Sequence, residues 1–243
     1  MSIRTASIRM ARQTLTVCAL AGALAAAPVR SAVPEQEAVF SALRARVAES
    51  NRKYIGNESR RAITTHEYDA KTGALISSSE ALVHRKEYYH RKPVNTPIKY
   101  RKNGIELPPE EFKYRSRDPV HLPFDTTDGE QYRYRIIGRK TVEGRECHAI
   151  EIIPFKNTAR HLRAVLYVTV DTIEPQYLEG TIADRPLGVS DIRVRLSFAT
   201  VRGESIMRRG TYVIMLNIPM LYPHRRIVSS FVSSDERPIP KEN

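Results

Sequence analysis

The sequence predicts a mainly β protein in which a strongly curved antiparallel sheet forms an incomplete barrel, with an N-terminal helix packed against its concave face. Three observations predict this fold. A helical pattern occupies residues 34–54, strand-like patterns fill most of the chain after it, and turn residues separate neighbouring strands. Consecutive hairpins with one apolar face form an antiparallel meander. A long sheet of this kind has to curl, and a single helix is available to cover it.

The first 32 residues predict an export signal. Basic residues without any acidic residue precede the apolar run 15–24, and small residues follow it. We expect cleavage between residues 25 and 32, with an uncleaved anchor as the alternative. Residues 33–243 are then expected to form a single domain in the periplasm.

Cysteine content and charge agree with an exported protein that folds without disulfides. After removal of the signal, Cys147 is the one cysteine left, so no intramolecular bridge can form. The net charge falls from +12 to +8, because four basic and no acidic residues are removed. Burial of a hydrophobic core therefore has to hold the fold together, as in a bacterial periplasmic protein.

The helix predicted over Pro34–Tyr54 is amphipathic. Its apolar residues Val39, Phe40, Leu43 and Val47 fall on one stripe about 100° wide at 100° per residue. We expect this stripe to pack against the sheet.

Nine strands are predicted after the helix. Residues 192–198 alternate most clearly, with apolar residues at every second position and polar ones between them. Residues 162–170 also place five apolar side chains on one face. The predicted strands are 61–68, 74–89, 132–139, 146–154, 162–170, 176–183, 192–198, 212–218 and 226–232.

Residues 93–129 interrupt this series and hold six of the fifteen prolines. Pro109–Phe112 is expected to begin a short helix, with proline in its first turn. The segment is interpreted either as a lid over the open barrel or as an ordinary connecting excursion.

No catalytic motif is present in the sequence, which contains no nucleophile elbow, zinc-protease motif, phosphate-binding loop or dinucleotide fingerprint. Cys147 and His148 are adjacent in a predicted strand, so their side chains point to opposite faces of the sheet. We therefore expect a protein that is not an enzyme and has no metal or cofactor. An envelope hydrolase is the least favoured hypothesis.

A basic stretch runs from residue 84 to residue 102 and is interleaved with tyrosines. Export argues against nucleic acid as its partner. It is interpreted as a surface for anionic lipid head groups or an acidic partner, and alternatively as a solvated strand face. The basic surface residues are Arg85, Lys86, Arg91 and Lys92.

A curved sheet that one helix covers incompletely predicts an apolar cavity suited to acyl chains, because each buried methylene contributes about 0.8 kcal/mol. The alternative is an interior filled by the protein's own side chains. The residues expected to line the cavity are Phe40, Leu43, Val47, Leu166, Val168, Val194, Leu196 and Phe198.

Two stretches carry a family resemblance, YRYRIIGRKTVEGRECHAIEIIP from Tyr132 and LRAVLYVTVDTIEPQYLEG from Leu162. Together with the helix after a signal peptide and the hairpin through Asp69–Gly73, they resemble the LolA-type lipoprotein-localisation family. The resemblance implies an incomplete barrel whose hydrophobic cavity holds lipoprotein acyl chains in transit across the periplasm. It implies neither catalysis nor a cofactor.

The leading hypothesis is a monomeric, chaperone-like periplasmic carrier of lipid or lipoprotein acyl chains. The alternative is an envelope sensor or scaffold of the same fold. Such a protein would bind an inner- or outer-membrane partner protein through its basic surface.

Overall fold

The computed structural model describes residues 32–113, 120–127, 129–218 and 222–241. The predicted export signal therefore lies outside the described residues. Among the described residues, no helix combines the length and the apolar character that crossing a bilayer requires. The described helix and strands are α1 (Ala32–Lys53), β1 (Tyr54–Asp69), β2 (Leu75–Tyr88), β3 (Val94–Lys102), β4 (Ile105–Leu107), β5 (Tyr132–Val142), β6 (Arg145–Pro154), β7 (Leu162–Thr169), β8 (Pro175–Ile182), β9 (Val189–Val201), β10 (Glu204–Ile218) and β11 (Tyr222–Pro240).

The strands form one antiparallel sheet in the order β4-β3-β2-β1-β11-β10-β9-β8-β7-β6-β5. The first and last strands of the chain pair with each other through a long register that includes Ile63 opposite Phe231. Strands β4 and β5 are the two edges and do not pair, so the barrel is incomplete. The predicted fold class, a mainly β incomplete barrel with an N-terminal helix, is confirmed.

The Pro-rich segment contains two strands that the sequence prediction missed. Strand β3 pairs with β2, and β4 pairs with the end of β3, so residues 94–107 extend the sheet to its edge. Pro97 occupies β3 beside a register shift. Proline cannot donate a ladder hydrogen bond and is confined to edges and irregular positions, which is why its presence suggested a loop here.

The described parts of residues 93–129 differ in their packing, because residues 94–107 extend the sheet while residues 120–127 pack over the core. Residues 109–111 form a short 3-10 helix, in agreement with the expected helix start at Pro109. Phe124 is 3% exposed, and its ring stacks on Tyr134 at a centroid distance of 4.0 Å. The stretch 120–127 is therefore the part that covers core residues.

Helix α1 crosses the concave side of the sheet, here called the inner face. Near its start, the side-chain oxygen of Gln36 accepts a hydrogen bond from the backbone N–H of Ile136 in β5 at 3.0 Å. Near its end, Ser50 contacts Tyr89, which follows β2, at 2.9 Å. The helix then continues directly into β1 at Tyr54. It thus spans from one edge strand toward the opposite half of the sheet.

Candidate functional site

The predicted cavity residues lie together in one apolar cluster between α1 and the inner face. Phe40 and Leu43 are 4% and 2% exposed, while Val47 is partly buried against the same cluster. Four of the five sheet residues are buried in the cluster, and Phe198 packs against it partly buried. These five are Leu166, Val168, Val194, Leu196 and Phe198.

The centre of this cluster is packed by the protein's own side chains. Tyr132, Ile150, Ile152 and Val168 have no exposed surface. Two hollows of the described part of the chain lie outside this centre, one beside residues 120–131 and one at the β1–β11 end of the sheet. At its centre the cluster is therefore filled by side chains, which is the alternative to an open cavity.

The margin of the cluster is less well covered than its centre. Partly buried apolar side chains pack against the buried ones, and several lie on β8, β9 and β10. The inner face therefore carries apolar side chains that remain partly exposed at the margin of the cluster. The marginal residues on β8, β9 and β10 are Ile182, Val189, Phe198, Met207, Tyr212 and Ile214.

Polar side chains around the rim hold α1 in place. Arg44 donates to Glu130 at 2.9 Å, and Arg46 donates to Glu174 at 3.1 Å and to the carbonyl of Ile173 at 3.0 Å. Solvent reaches both arginine side chains, which are about a third exposed. Such contacts exchange for water at little cost, because exposed ion pairs contribute at most about 1 kcal/mol each.

Two tyrosines of β5 anchor the stretch 120–127. The Tyr132 hydroxyl donates to the carbonyl of His121 at 2.7 Å, and the Tyr134 hydroxyl accepts from the backbone N–H of Phe124 at 2.8 Å. Burial raises the pKa of Tyr132 to about 12, against a smaller lowering effect of the backbone N–H of Leu162. A small hollow of about 40 Å³ lies beside this stretch, with room for water only.

Of the four residues predicted to form a basic surface, three are exposed and one is buried. Lys86, Arg91 and Lys92 are exposed, whereas Arg85 is 7% exposed, so its assignment to the surface is wrong. Arg85 lies opposite Ser59 on the inner face, while its neighbour Lys86 points to the other face.

Arg85 belongs to a buried charge cluster with Arg61 and Glu87. Arg61 donates to the Glu87 carboxylate at 2.6 Å, and Arg85 donates to it at 3.1 and 3.3 Å and to Asn95 at 3.1 Å. Burial by itself would raise the pKa of Glu87, but the two guanidinium groups outweigh it and hold that pKa below its usual range. In the sequence, Arg85 and Glu87 stand at alternate positions of one strand and therefore share a face. Their contact with Arg61 depends on the pairing of β1 with β2, which the sequence alone does not give.

Several buried polar atoms near this cluster have no hydrogen-bond partner among the described residues. They lie on the same end of β1 and on its partner β11. Buried polar groups are nearly always paired, so a group of such atoms is unusual. The unpartnered atoms are Asn57 Oδ1, Ser59 Oγ, Arg61 Nε and Ser233 Oγ.

A hollow of about 600 Å³ opens at this end of the sheet. It adjoins a register shift between β1 and β11 that lies between Glu58 and Arg60. Its volume falls in the range of sites for small molecules, about 300–1,000 Å³. The lining residues are Ser59, Arg60, His84, Ile98, Arg202, Asp235, Glu236 and Arg237.

Cys147 and His148 are buried but lie apart from this hollow. Cys147 packs with Ala149 and Tyr167 in a second small apolar cluster. Burial raises the pKa of the Cys147 thiol and lowers the pKa of the His148 imidazole. A neutral thiol of this kind packs as an apolar side chain. Among the described residues, no group of three or more His, Cys, Asp or Glu side chains has an arrangement for a metal ion.

Comparisons with known proteins give similarity to solved structures alone. No family model and no curated protein sequence matches the chain. It is similar to a LolA superfamily protein from Nitrosomonas europaea, with 11% identity, a TM-score of 0.43, and coverage of 84% of this chain and 94% of that one.

Two further solved structures are similar over comparable lengths. An outer membrane lipoprotein-sorting protein domain from Vibrio parahaemolyticus has 11% identity and a TM-score of 0.42, covering 84% of this chain and 92% of that one. MucB of Pseudomonas aeruginosa, solved with MucA, has 12% identity and a TM-score of 0.25, covering 82% and 99%. One of the solved structures that this chain resembles is thus a protein described as a member of the LolA superfamily.

Proposed function

We propose that this protein is a non-catalytic periplasmic carrier that binds the acyl chain of a lipid or lipoprotein against the inner face of its sheet. The observation that supports this proposal is the apolar margin on β8–β10, whose side chains remain partly exposed. Soluble proteins rarely leave contiguous apolar surface uncovered unless something binds there.

Entry of a chain requires α1 to move, because the cluster centre is packed. The helix contributes a narrow apolar stripe, chiefly Val39, Phe40 and Leu43, and its remaining contacts are polar. A bound acyl chain would replace the apolar contacts of the stripe with its own. The polar contacts at the rim would exchange with water, so opening costs mainly the burial of a few side chains.

Apolar burial then drives loading. Each methylene taken from water contributes about 0.8 kcal/mol, so a chain of about ten methylenes would offset the loss of three or four helix side chains at about 2 kcal/mol each. Release follows when a partner binds the chain more tightly.

Displacement of a dansylated fatty acid tests this proposal. Phe198→Lys places a charge on the partly buried margin, and Ser197→Lys places the same charge on the adjacent residue of the opposite face. We expect the unmodified protein to bind the probe with micromolar affinity. Phe198→Lys should weaken binding at least tenfold, while Ser197→Lys leaves it unchanged.

Thermal unfolding of both variants serves as the control for folding. Native mass spectrometry of the protein purified from an envelope fraction should show a bound species with the mass of a lipid. Absence of probe binding by a folded protein, together with equal behaviour of the two variants, would sink the proposal.

A second candidate function is docking to a membrane-protein partner, as in an envelope sensor or scaffold. The observation that favours it is the exposed edge of the sheet, where Lys86, Arg91 and Lys92 accompany the exposed apolar residues Val94 and Ile98. Such a surface suits an acidic partner with apolar anchors.

Charge reversal separates the two functions. Lys86→Glu and Lys92→Glu together should abolish capture of an envelope partner and leave the affinity for the dansylated fatty acid unchanged if docking is the function. A loss of probe binding with partner capture intact would contradict the docking candidate.

A further inference from the structure

The four most exposed large apolar side chains of the described chain lie one at each of four connections between strands. The connections are β1–β2, β3–β4, β6–β7 and β8–β9, and each of these side chains is more than half exposed. Single exposed apolar residues on a surface need no explanation, whereas their concentration at one set of connections does. The four residues are Leu75, Ile105, Phe155 and Leu187.

All four connections lie at the same end of the sheet. Tyr68 near the end of β1 lies opposite Arg226 of β11, which in turn lies opposite Met215 of β10. Met215 lies opposite Asp191 near the start of β9. The β1–β2 and β8–β9 turns therefore follow at about one level. The connections and their flanking residues, here called the turn rim, are 70–76, 102–105, 155–161 and 183–188.

Backbone hydrogen bonds join neighbouring parts of the turn rim. The N–H of Ala70 in the β1–β2 turn donates to the carbonyl of His224, near the start of β11, at 2.6 Å. The N–H of Ala183 in the β8–β9 turn donates to the carbonyl of His161, in the β6–β7 connection, at 2.8 Å. The exposed apolar residues therefore belong to a fixed frame of main chain.

A basic side chain accompanies each exposed apolar residue of the turn rim. All four are exposed, and the three lysine ammonium groups form no ion pair with any described residue. The rim contains five basic residues and one acidic residue, Asp184. Asp69, which precedes the rim, accepts backbone N–H groups of its own turn. The basic residues beside the apolar ones are Lys71, Lys102, Lys156 and Arg185.

The spacing of the apolar residues favours a bilayer over a protein partner. Neighbouring connections of the rim are two to four strands apart, which is about 10–20 Å around the sheet at about 4.8 Å per strand. A protein interface has a contiguous buried centre, which residues so far apart do not form. A bilayer accepts each apolar side chain separately, while the adjacent cation reaches an anionic head group.

We infer that the turn rim docks on the surface of a membrane that contains anionic lipids. The four apolar side chains enter the head-group region, and the four neighbouring cations pair with lipid phosphates. The β8–β9 turn lies between Ile182 and Val189, which both belong to the apolar margin, so docking brings this margin to the bilayer. The inference goes beyond the proposed carrier function and does not require it.

Flotation with lipid vesicles tests the inference. The full chain, purified from a soluble extract, is mixed with vesicles of phosphatidylcholine alone or of phosphatidylcholine and phosphatidylglycerol in equal parts. We expect at least tenfold tighter binding to the anionic vesicles, and weaker binding at high salt, because salt screens exposed charges. Absence of binding, or equal binding to both kinds of vesicle, would overturn the inference.

Apolar variants test whether the rim side chains enter the bilayer. Ile105→Ser together with Leu187→Ser should weaken binding to the anionic vesicles at least tenfold. The matched control is Ile137→Ser together with Val232→Ser, which changes two residues that are about half exposed within β5 and β11. The control should stay within twofold. Equal losses would show that surface apolarity in general, and not the rim, causes binding.

Charge variants test the pairing with lipid phosphates. Lys71→Gln together with Lys156→Gln should weaken binding to the anionic vesicles about tenfold. Lys140→Gln together with Lys241→Gln removes the same charge from exposed positions outside the rim and should stay within twofold. Equal losses would indicate attraction by net charge alone and overturn the inference. Every variant has the same N-terminus, so the predicted export signal cannot cause a difference between them.

An introduced tryptophan reports the contact directly, because the chain has none of its own. The emission of Leu187→Trp should shift to shorter wavelength when anionic vesicles are added, and that of Val232→Trp should not. A Leu187→Trp protein that binds vesicles without this shift would place the contact elsewhere and overturn the inference. If vesicles fail to bind while the dansylated fatty acid binds, the inference fails and the proposed carrier function stands. The reverse result would retain the docking rim and remove the carrier function.

Discussion

The guanidinium of Arg61 lies 4.4 Å from the centroid of the Phe231 ring. This contact joins two regions of the inner face, since Phe231 is buried in the apolar cluster and Arg61 belongs to the buried charge cluster with Glu87. A cation held over an aromatic ring in a desolvated place contributes about 2 kcal/mol. The apolar cluster and the buried charge cluster are therefore in direct contact on the inner face.

Arg61→Ala is expected to lower the free energy of unfolding by about 2 kcal/mol, because it removes a charge-assisted hydrogen bond to Glu87 and the stacking on Phe231. The matched control is Arg60→Ala, whose side chain is 62% exposed in a loose pair with Asp235. That change should stay within about 0.5 kcal/mol. Urea unfolding at neutral pH measures the free energy of unfolding of both variants. Equal losses would contradict the stabilising role of Arg61 in the buried charge cluster.

The pH dependence of stability should report Glu87. Its pKa is lowered in the folded state, so its contribution to stability is complete above the ordinary value of 4.5 and is lost as the pH falls below it. We expect the melting temperature to fall more steeply below pH 4.5 in the unmodified protein than in Glu87→Gln. Parallel melting curves for the two proteins between pH 5 and pH 3 would refute this.

Gly210→Ala should destabilise the sheet where Phe231 and Leu196 pack directly against the backbone of β10. A Cβ at position 210 would overlap the Phe231 ring and lie 2.9 Å from Leu196 Cδ2. Overpacking of a core typically costs about 1–3 kcal/mol. Arg209→Ala, at the exposed neighbouring position, should have an effect below about 0.5 kcal/mol in the same thermal unfolding assay. A stable Gly210→Ala protein would show that Phe231 has room to move.

Tyr134→Phe should loosen the stretch 120–127 without unfolding the sheet. The change removes the acceptor for the backbone N–H of Phe124 and keeps the ring that stacks on it. We expect faster amide hydrogen exchange across residues 120–127 and a stability loss of about 1 kcal/mol. Tyr177→Phe on β8 is the control, and unchanged exchange in Tyr134→Phe would argue that stacking alone holds this stretch.

Local patterns were sufficient to predict the helix, nine of the strands and the apolar faces. Period-2 alternation places Val194 and Leu196 on one face whatever the neighbouring strand is, and the helical stripe brings Phe40 and Leu43 to one side of α1. These are properties of the backbone geometry and can be read directly from the chain. Pro97 obscured β3, because a proline argues against a central strand and is tolerated only at a sheet edge or an irregular position.

The sequence alone therefore determined which residues are apolar and share a face, while the tertiary structure decided what lies opposite each of them. Arg85 and Lys86 are indistinguishable as neighbouring basic residues, yet the register of β2 against β1 buries the first beside Glu87 and leaves the second in water. The hollow at Ser59 depends on the pairing of β1 with β11, which joins residues about 175 positions apart. Such pairings follow from the closure of the whole sheet, and no local window of residues contains them.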